Sequence, residues 1–218
     1  MTASSKYEQV LAISSLSYRW LTQSLKPFIV EWIQEPMIVG ALCPSSRSLA
    51  EAMANHVDMT KSGYHIELGA GTGVVTQALL DRGIDSNRLI VIERSPRFVA
   101  ILRKRFPNLR IVKGDATQLD RILAAELDHD VGIASIVSSL PLRSLATEVR
   151  SSIIDQWALL LDNEGQVIQF SYFLFSQSSL NPKSFQEIKS KLVLSNLPPA
   201  KVSCYQRLTT PILALDKQ

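Results

Sequence analysis

The feature that most constrains the fold is an alternation, from Tyr64 onward, of short β-rich runs with helix-compatible stretches. The runs are YHIEL, RLIVIE, LRIVKG, DVGIASIVSS and QVIQFSYFLF. Strands that alternate with helices pair as a parallel sheet with helices on both faces. The stretch LVLSNLPPAKVSCYQRLTTPILAL adds two β-rich runs joined by a proline-rich turn, which predicts an antiparallel edge of the same sheet. We therefore expect an α/β fold with seven strands.

The N-terminal part of the chain follows a different pattern. Residues 6–35 have helical periodicity that Pro27 interrupts. A helix start follows at PSSRSLAE, where Ser45 and Ser46 are candidate caps and Ser48 and Glu51 have the spacing of a capping box. These signals predict a helical arm over residues 1–39 and one domain over residues 40–218.

Composition narrows the class of protein. A chain of 218 residues with a net charge of +3 can bury one substantial core, and it is too weakly basic to imply nucleic acid without a localised basic patch. Cys43 and Cys204 are too few for a disulfide framework, and the three histidines are scattered, so we expect no metal site. We also expect a cytoplasmic protein, since the N-terminus does not resemble a signal peptide and the apolar runs are short of the roughly 20 residues that a spanning helix needs.

A glycine-rich loop follows the first predicted strand. Gly69, Gly71 and Gly73 let the backbone turn tightly and approach a ligand that a side chain would block. The spacing is GxGxG, whereas a dinucleotide cradle of the GxGxxG type would need glycine at Val74. The loop therefore predicts a nucleoside ligand better than a nicotinamide or flavin cofactor.

Three acids lie near the ends of the first three predicted strands. Glu67 precedes the glycine loop, Glu93 can accept both hydroxyls of a ribose, and Asp115 can accept from an exocyclic amine. In this order the residues resemble the class I S-adenosylmethionine-dependent methyltransferases, in which an acid precedes GxGxG. The resemblance covers roughly residues 40–215 and implies a Rossmann-like sheet, an enzyme, and S-adenosylmethionine as cofactor. The residues that it assigns to the cofactor are Glu67, Gly69, Ala70, Gly71, Gly73, Glu93, Arg94, Asp115, Ala116 and Ser138.

The end of the fourth predicted strand bears on the methyl acceptor. Adenine methyltransferases that act on RNA or DNA carry asparagine, proline and an aromatic residue there, whereas this chain has SSLPL at residues 138–142. The stretch lacks an amide and a stacking ring with which to hold a flipped base, so nucleic acid is an unlikely partner. An enzyme similar to the ribosomal RNA adenine dimethyltransferases stays the second hypothesis.

A narrower resemblance extends over nearly the whole chain. The blocks WIQEPMIVGALCPSSRSLAEAMA, IELGAGTG, SSLPL, QFSY and NLPPAKV are similar to those of bacterial phospholipid N-methyltransferases, which convert phosphatidylethanolamine to phosphatidylcholine. The resemblance implies a phospholipid head group as acceptor and peripheral association with an anionic membrane surface. The arm, with its apolar and basic side chains, would lie at that surface or would pack on the core. A lipid-binding protein that keeps this fold without catalysis is the third hypothesis.

Residues for the acceptor can be proposed on the same basis. The helix start and a later loop offer hydroxyl, guanidinium and backbone N–H groups for a lipid phosphate. Two tyrosines are candidates to orient the amine as charge builds on its nitrogen. The candidates are Ser45, Ser46, Arg47 and Arg143 for the substrate, and Tyr18 and Tyr172 as catalytic residues.

Overall fold

A computed structural model describes residues 46–127, 131–172, 180, 184–196 and 198–208. Backbone contacts divide the chain into two units, Met1–Cys43 and Pro44–Gln218, and all of the described residues belong to the second. The predicted arm lies outside the described residues, as do Tyr18 and Ser45, and the domain boundary at residue 39 stays a prediction.

The seven predicted strands form one sheet in the order β3-β2-β1-β4-β5-β7-β6. The pairs among β1 to β5 are parallel, and β7 pairs antiparallel with both β5 and β6. The predicted Rossmann-like sheet with an antiparallel C-terminal edge is therefore confirmed. The strands are β1 (Tyr64–Leu68), β2 (Leu89–Glu93), β3 (Arg110–Lys113), β4 (Ile133–Ser138), β5 (Leu161–Ser171), β6 (Phe185–Val193) and β7 (Ala200–Arg207).

Five α-helices cover the two faces of this sheet within the described residues. They are α1 (Arg47–Ala54), α2 (Val74–Asp81), α3 (Pro96–Arg105), α4 (Leu119–Glu126) and α5 (Thr147–Leu160). Buried side chains of α1, α2 and α3 form the core on one face, and those of α4 and α5 form the core on the other. Every residue of β1, β2 and β4 is buried, because these central strands have helices on both sides. Among the helices described, none combines the length and apolarity needed to cross a bilayer.

The first helix begins after Ser46, one of the two serines that the sequence offers as caps ahead of the box. Ser46 is the cap, and its hydroxyl accepts a hydrogen bond from the N–H of Leu49 at 3.2 Å. Ser48 lies inside the first turn, so the predicted capping box from Ser48 to Glu51 is wrong. Both Ser46 and Ser48 have side chains suited to capping. Ser46 is the cap because its backbone is the last with non-helical angles before the helix.

The strand order reverses between β1 and β4: the chain continues from β1 to β2 on one side of this pair and from β4 to β5 on the other. In open sheets ligands bind beyond the carboxyl ends of the strands at such a point. The antiparallel edge brings a further segment to the same rim: Ser171, the last residue of β5, pairs with Lys201 near the start of β7. Val193, at the end of β6, pairs with Ala200. The turn between β6 and β7 therefore lies at the carboxyl edge, beside the end of β5.

Candidate functional site

The glycine loop connects β1 to α2 at the carboxyl edge. Gly71 has a φ of +55°, and a Cβ atom built on it would meet nothing within 4 Å, so the backbone there borders open space. Gly73 also has a positive φ, but its Cβ would lie 2.5 Å from Cε2 of Phe106, so this glycine is required by packing. Gly71 is therefore the position where a ligand can contact bare backbone, and Gly73 is where the loop packs against the end of α3.

Glu93 ends β2 and faces this loop. Its two carboxylate oxygens accept hydrogen bonds from the N–H of Gly71 at 3.0 Å and the N–H of Ser95 at 2.8 Å. These bonds hold the carboxylate next to the open space while leaving lone pairs for further donors, since an ionised carboxylate has about four acceptor sites. The side chain is buried, so such donors would act in a partly water-excluded environment.

Asp115 follows β3 on the same edge. One carboxylate oxygen accepts from the N–H of Thr117 at 2.9 Å and from its hydroxyl at 2.8 Å. The bond from the Thr117 N–H is the main reason why the pKa of Asp115 lies below its usual value. The other oxygen lies 3.7 Å from the guanidinium of Arg94, a highly exposed side chain. The sequence prediction that both residues lie at this rim agrees with their positions, and their contacts with a cofactor stay a prediction.

Glu67 is the most unusual group of the site, because its carboxyl is fully buried. Burial raises the pKa of Glu67 to about 8, with a further contribution from the charge of Glu93, and Thr76 opposes the shift through its hydroxyl and N–H. Even so, within the described part of the chain neither carboxyl oxygen of Glu67 has a hydrogen bond of acceptable geometry, and the Thr76 hydroxyl has none either. Buried polar groups are usually hydrogen-bonded, so a ligand or water is the natural partner for this carboxyl beside Thr76.

These observations fit the predicted cofactor. The bare backbone at Gly71 admits a nucleoside, Glu93 offers acceptor sites for ribose hydroxyls, and Glu67 lacks a donor such as an ammonium group would provide. Ala70 is buried in the loop, Ala116 is half-buried behind Asp115, and Ser138 is fully buried at the end of β4. The sequence assigned these small residues to the cofactor as well, and that assignment stays a prediction.

The loop after β4 is held between β1 and β5. The N–H of Ser139 donates to the carbonyl of Leu68 at 2.9 Å, and the N–H of Leu140 donates to the Ser138 hydroxyl at 3.2 Å. The side-chain amide of Gln169, on β5, donates to the carbonyls of Leu140 at 3.0 Å and Phe170 at 2.9 Å. Sequence reasoning missed Gln169, although a glutamine within the apolar run VIQF was a signal that its side chain has a specific partner.

Tyr172 follows β5 at the same edge. Its half-buried ring packs against the core on the α1 side and meets Phe170 edge to face, with ring centroids 5.2 Å apart. The structure therefore places Tyr172 near the carboxyl ends of the strands, as the sequence predicts. Its catalytic role stays a prediction.

The predicted substrate residues occupy different surroundings. The Ser46 hydroxyl caps α1, and the Ser46 N–H donates to the side-chain oxygen of Asn196 at 3.1 Å. Arg47 is exposed and pairs with Glu51 at 2.8 Å, an arrangement typical of a solvated helix face. Arg143 follows β4, and burial is the main cause that lowers its pKa. A phosphate site formed by these residues stays a prediction.

Sequence reasoning also missed Asn196, which ties the β6–β7 turn to the start of α1. Its side-chain N–H donates to the carbonyl of Pro198 at 2.7 Å, so one amide links both sides of the turn. Among the described residues no group of three or more histidine, cysteine, aspartate or glutamate side chains is arranged to hold a metal ion.

Comparison with known proteins bears on this site and fold. Residues 66–165 match a family model described as a methyltransferase domain. The chain is 28% identical over 176 residues to the ornithine lipid N-methyltransferase of Singulisphaera acidiphila. This match covers 79% of this chain and 91% of that protein. A match to a probable ribosomal RNA small subunit methyltransferase A of Thermococcus onnurineus is 42% identical but covers 33% of this chain and 26% of the other. The N-methyltransferase NodS of Bradyrhizobium japonicum, solved with S-adenosyl-L-homocysteine, superimposes with a TM-score of 0.59 at 15% identity, over 76% of this chain and 89% of that one.

The strand order, the glycine loop and the acids beside it are those that the resemblance to the class I S-adenosylmethionine-dependent methyltransferases implies, and the family model matches the segment with the loop and the acids. The protein is a methyltransferase, an enzyme whose cofactor is S-adenosylmethionine. The predicted class, fold and cofactor are thus confirmed.

Proposed function

We propose that the protein methylates the primary amine in the head group of a membrane lipid. The observation that carries this proposal is the extent of the similarity to the ornithine lipid N-methyltransferase, which spans 91% of that relative. The likeness to the ribosomal RNA enzyme is confined to 74 residues. Phosphatidylethanolamine is the acceptor that the sequence blocks favour. Ornithine lipid is the second candidate, because the long relative is named for it.

In this proposal, groups at the carboxyl edge of the sheet bind the cofactor. Bound S-adenosylmethionine supplies an electrophilic methyl group on a sulfonium that departs as a neutral thioether. Glu93 is held by two backbone N–H groups and is therefore oriented before ribose hydroxyls reach it. Gly71 lets the ligand lie against the backbone, and Asp115 provides an acceptor for an exocyclic amine from the neighbouring strand.

The loop after β4 suits an amine that must lose water and its proton before it reacts. Leu140 and Pro141 are half-buried and Leu142 is buried, so this side of the site is largely apolar. An apolar surround disfavours the protonated amine and leaves a free electron pair for attack. Gln169 fixes the loop through the Leu140 carbonyl, and Tyr172 lies at the end of the adjacent strand to orient the nitrogen.

The same contacts argue against a nucleobase acceptor. Gln169 brings an amide to the loop, but both of its N–H donors are used by the carbonyls of Leu140 and Phe170. The SSLPL stretch itself contains neither an amide side chain nor an aromatic ring. The loop itself therefore lacks the amide and the stacking ring that grip a flipped base, while the Oε1 of Gln169 on β5 has no hydrogen-bond partner among the described residues.

Transfer of a labelled methyl group tests the proposal. The full chain is incubated with S-adenosylmethionine labelled in the methyl group and with four acceptors in parallel: phosphatidylethanolamine vesicles, ornithine lipid vesicles, phosphatidylcholine vesicles and small-subunit ribosomal RNA. We expect label in the lipid fraction with one or both amine lipids, and background levels with phosphatidylcholine. Gly71→Val is the control for label that does not depend on the site.

Each other outcome has a definite meaning. Label in ribosomal RNA alone would replace the lipid proposal with the second hypothesis. Binding of S-adenosylhomocysteine with no transfer to any of these acceptors would favour the non-catalytic lipid-binding protein. Label with ornithine lipid but not phosphatidylethanolamine would retain lipid N-methylation and correct the head group.

A further inference from the structure

The end of β6 has an unusual surface for an edge strand. Its sequence KSKLVL, residues 189–194, ends in two leucines that are half or more exposed: Leu192 at 51% and Leu194 at 69%. Lys189 and Lys191, just before them, are exposed as well. Leu192 and Leu194 lie at the β6–β7 turn, whereas Lys189 and Lys191 precede it within β6, on the opposite face of the strand from Leu192. We call these four residues the hairpin-tip surface.

This surface lies where a lipid acceptor must arrive. The register of β5 with β7 and of β7 with β6 puts the turn at the carboxyl edge, two strand spacings from the end of β5. Two spacings amount to about 10 Å. A lipid whose amine reaches the end of β5 would therefore keep its acyl chains in a bilayer close to Leu192 and Leu194.

The charge of the surrounding residues fits an anionic bilayer. Glu187 is neutralised by Lys201 at 2.7 Å, and Glu51 on α1 by Arg47 at 2.8 Å. Within the described part of the chain, Lys189 and Lys191 take part in no ion pair. The end of this edge strand thus carries exposed leucines at the turn and, on the opposite face just before it, lysines with no ion pair among the described residues, and membrane interfaces attract both kinds of side chain.

The turn is also rigid enough to present this surface. Asn196 bonds to Ser46 at the start of α1 and to the carbonyl of Pro198, and Val193 is buried in the core between the two leucines. Leucines on a fixed turn lose little conformational freedom when they enter a bilayer.

We propose that the hairpin-tip surface docks onto a bilayer containing anionic lipids and thereby brings the carboxyl edge of the sheet to the acceptor head groups. This deepens the proposed function and rests on it for the identity of the acceptor. The docking itself concerns the described domain and is separate from the role predicted for the N-terminal arm.

Vesicles without any amine lipid test the docking independently of catalysis. Flotation of the full chain is measured with phosphatidylcholine vesicles and with vesicles of phosphatidylcholine and phosphatidylglycerol. The double variant Leu192→Asp, Leu194→Asp should lower the partition coefficient on the anionic vesicles by at least about tenfold. The double variant Lys189→Gln, Lys191→Gln should lower it by roughly fivefold for each lysine at low salt, and by less at high salt.

Leu159→Asp is the matched control. Leu159 is 79% exposed near the end of α5, just before β5 begins, and so lies at the opposite edge of the sheet. Its replacement should leave vesicle binding unchanged. Circular dichroism and S-adenosylhomocysteine affinity show whether each variant keeps its fold.

The results separate this proposal from the proposed function. If the folded Leu192→Asp, Leu194→Asp variant binds anionic vesicles with the same partition coefficient as the wild type, the docking is overturned, whether or not lipid is methylated. The docking is also overturned if vesicle binding is unchanged and the variant loses a dimer seen by sedimentation, because the surface is then covered by a second copy. The same holds if vesicle binding is unchanged and the variant unfolds at a lower temperature, because the surface is then covered by the chain itself. Leucine-dependent vesicle binding with no methylation of either amine lipid would leave the docking intact and refute the proposed function alone.

Discussion

Glu67→Gln should change how the stability of the protein depends on pH. Glu67 is fully buried, and burial raises its pKa to about 8 from an ordinary value of 4.5. Between these two values the folded protein keeps a proton on Glu67 that the unfolded chain releases. Stability contributed by this group is therefore present at low pH and lost as pH rises, with a slope of about 1.4 kcal/mol per pH unit.

The magnitude is large compared with the stability of an ordinary domain. From about pH 5.5 to 7.5, Glu67 should remove roughly 2 to 3 kcal/mol from the free energy of unfolding, and above pH 8 the total should approach about 5 kcal/mol. Glutamine does not titrate, so this slope should be absent from the variant. His56 and His65, whose pKa values burial lowers, impose the opposite slope below their ordinary pKa, but they do so equally in both proteins and cancel in the difference.

Urea unfolding without cofactor, at several pH values in this range, measures the effect. The free energy of Glu67→Gln minus that of wild type should rise steadily with pH. Replacing the exposed Glu148 by glutamine controls for the loss of a carboxylate as such. Parallel pH profiles for wild type and Glu67→Gln would refute the inference that Glu67 is buried and protonated in the folded protein.

Four further predictions concern the site and the arm. Glu93→Ala should weaken S-adenosylhomocysteine binding by about 1 to 3 kcal/mol in calorimetry, because charged hydrogen bonds are lost, and an unchanged affinity would remove Glu93 from the site. Gly71→Val should abolish binding by filling the open space, whereas Gly83→Val, also at a positive φ next to open space but distant from the carboxyl edge, should spare it; equal affinities would show that the loop is not the cradle. Gln169→Leu should lower kcat about tenfold or more with cofactor affinity retained, since it releases the loop after β4, and an unaltered kcat would refute that positioning role. Deleting residues 1–26 should reduce vesicle association and preserve cofactor affinity, and unchanged association would show that the arm does not bind membrane.

The position of the glycine loop and of the strand-end acids could be predicted from sequence because their signals are local, while their contacts with the cofactor stay a prediction. A glycine loop and strand-end acids are separated by short, regular stretches, and the carboxyl ends of parallel strands meet at one edge. Gly71, Glu93 and Asp115 were placed correctly on this basis. The cap of α1 could not be fixed from the sequence, because neighbouring serines offer the same chemistry, and the capping box from Ser48 was wrong.

The fold class, the seven strands and the antiparallel edge also follow from the sequence alone, since hydrophobic patterning and turn residues are properties of neighbouring positions. Tertiary structure alone decided which distant groups meet. It showed that the buried Glu67 carboxyl has no donor of acceptable geometry among the described residues, that Gln169 holds the loop of Leu140, and that the exposed Leu192 lies two strands from the end of β5 at the same edge. Burial and contact across strands depend on the packing of segments far apart in the chain, and no local pattern of residues contains that information.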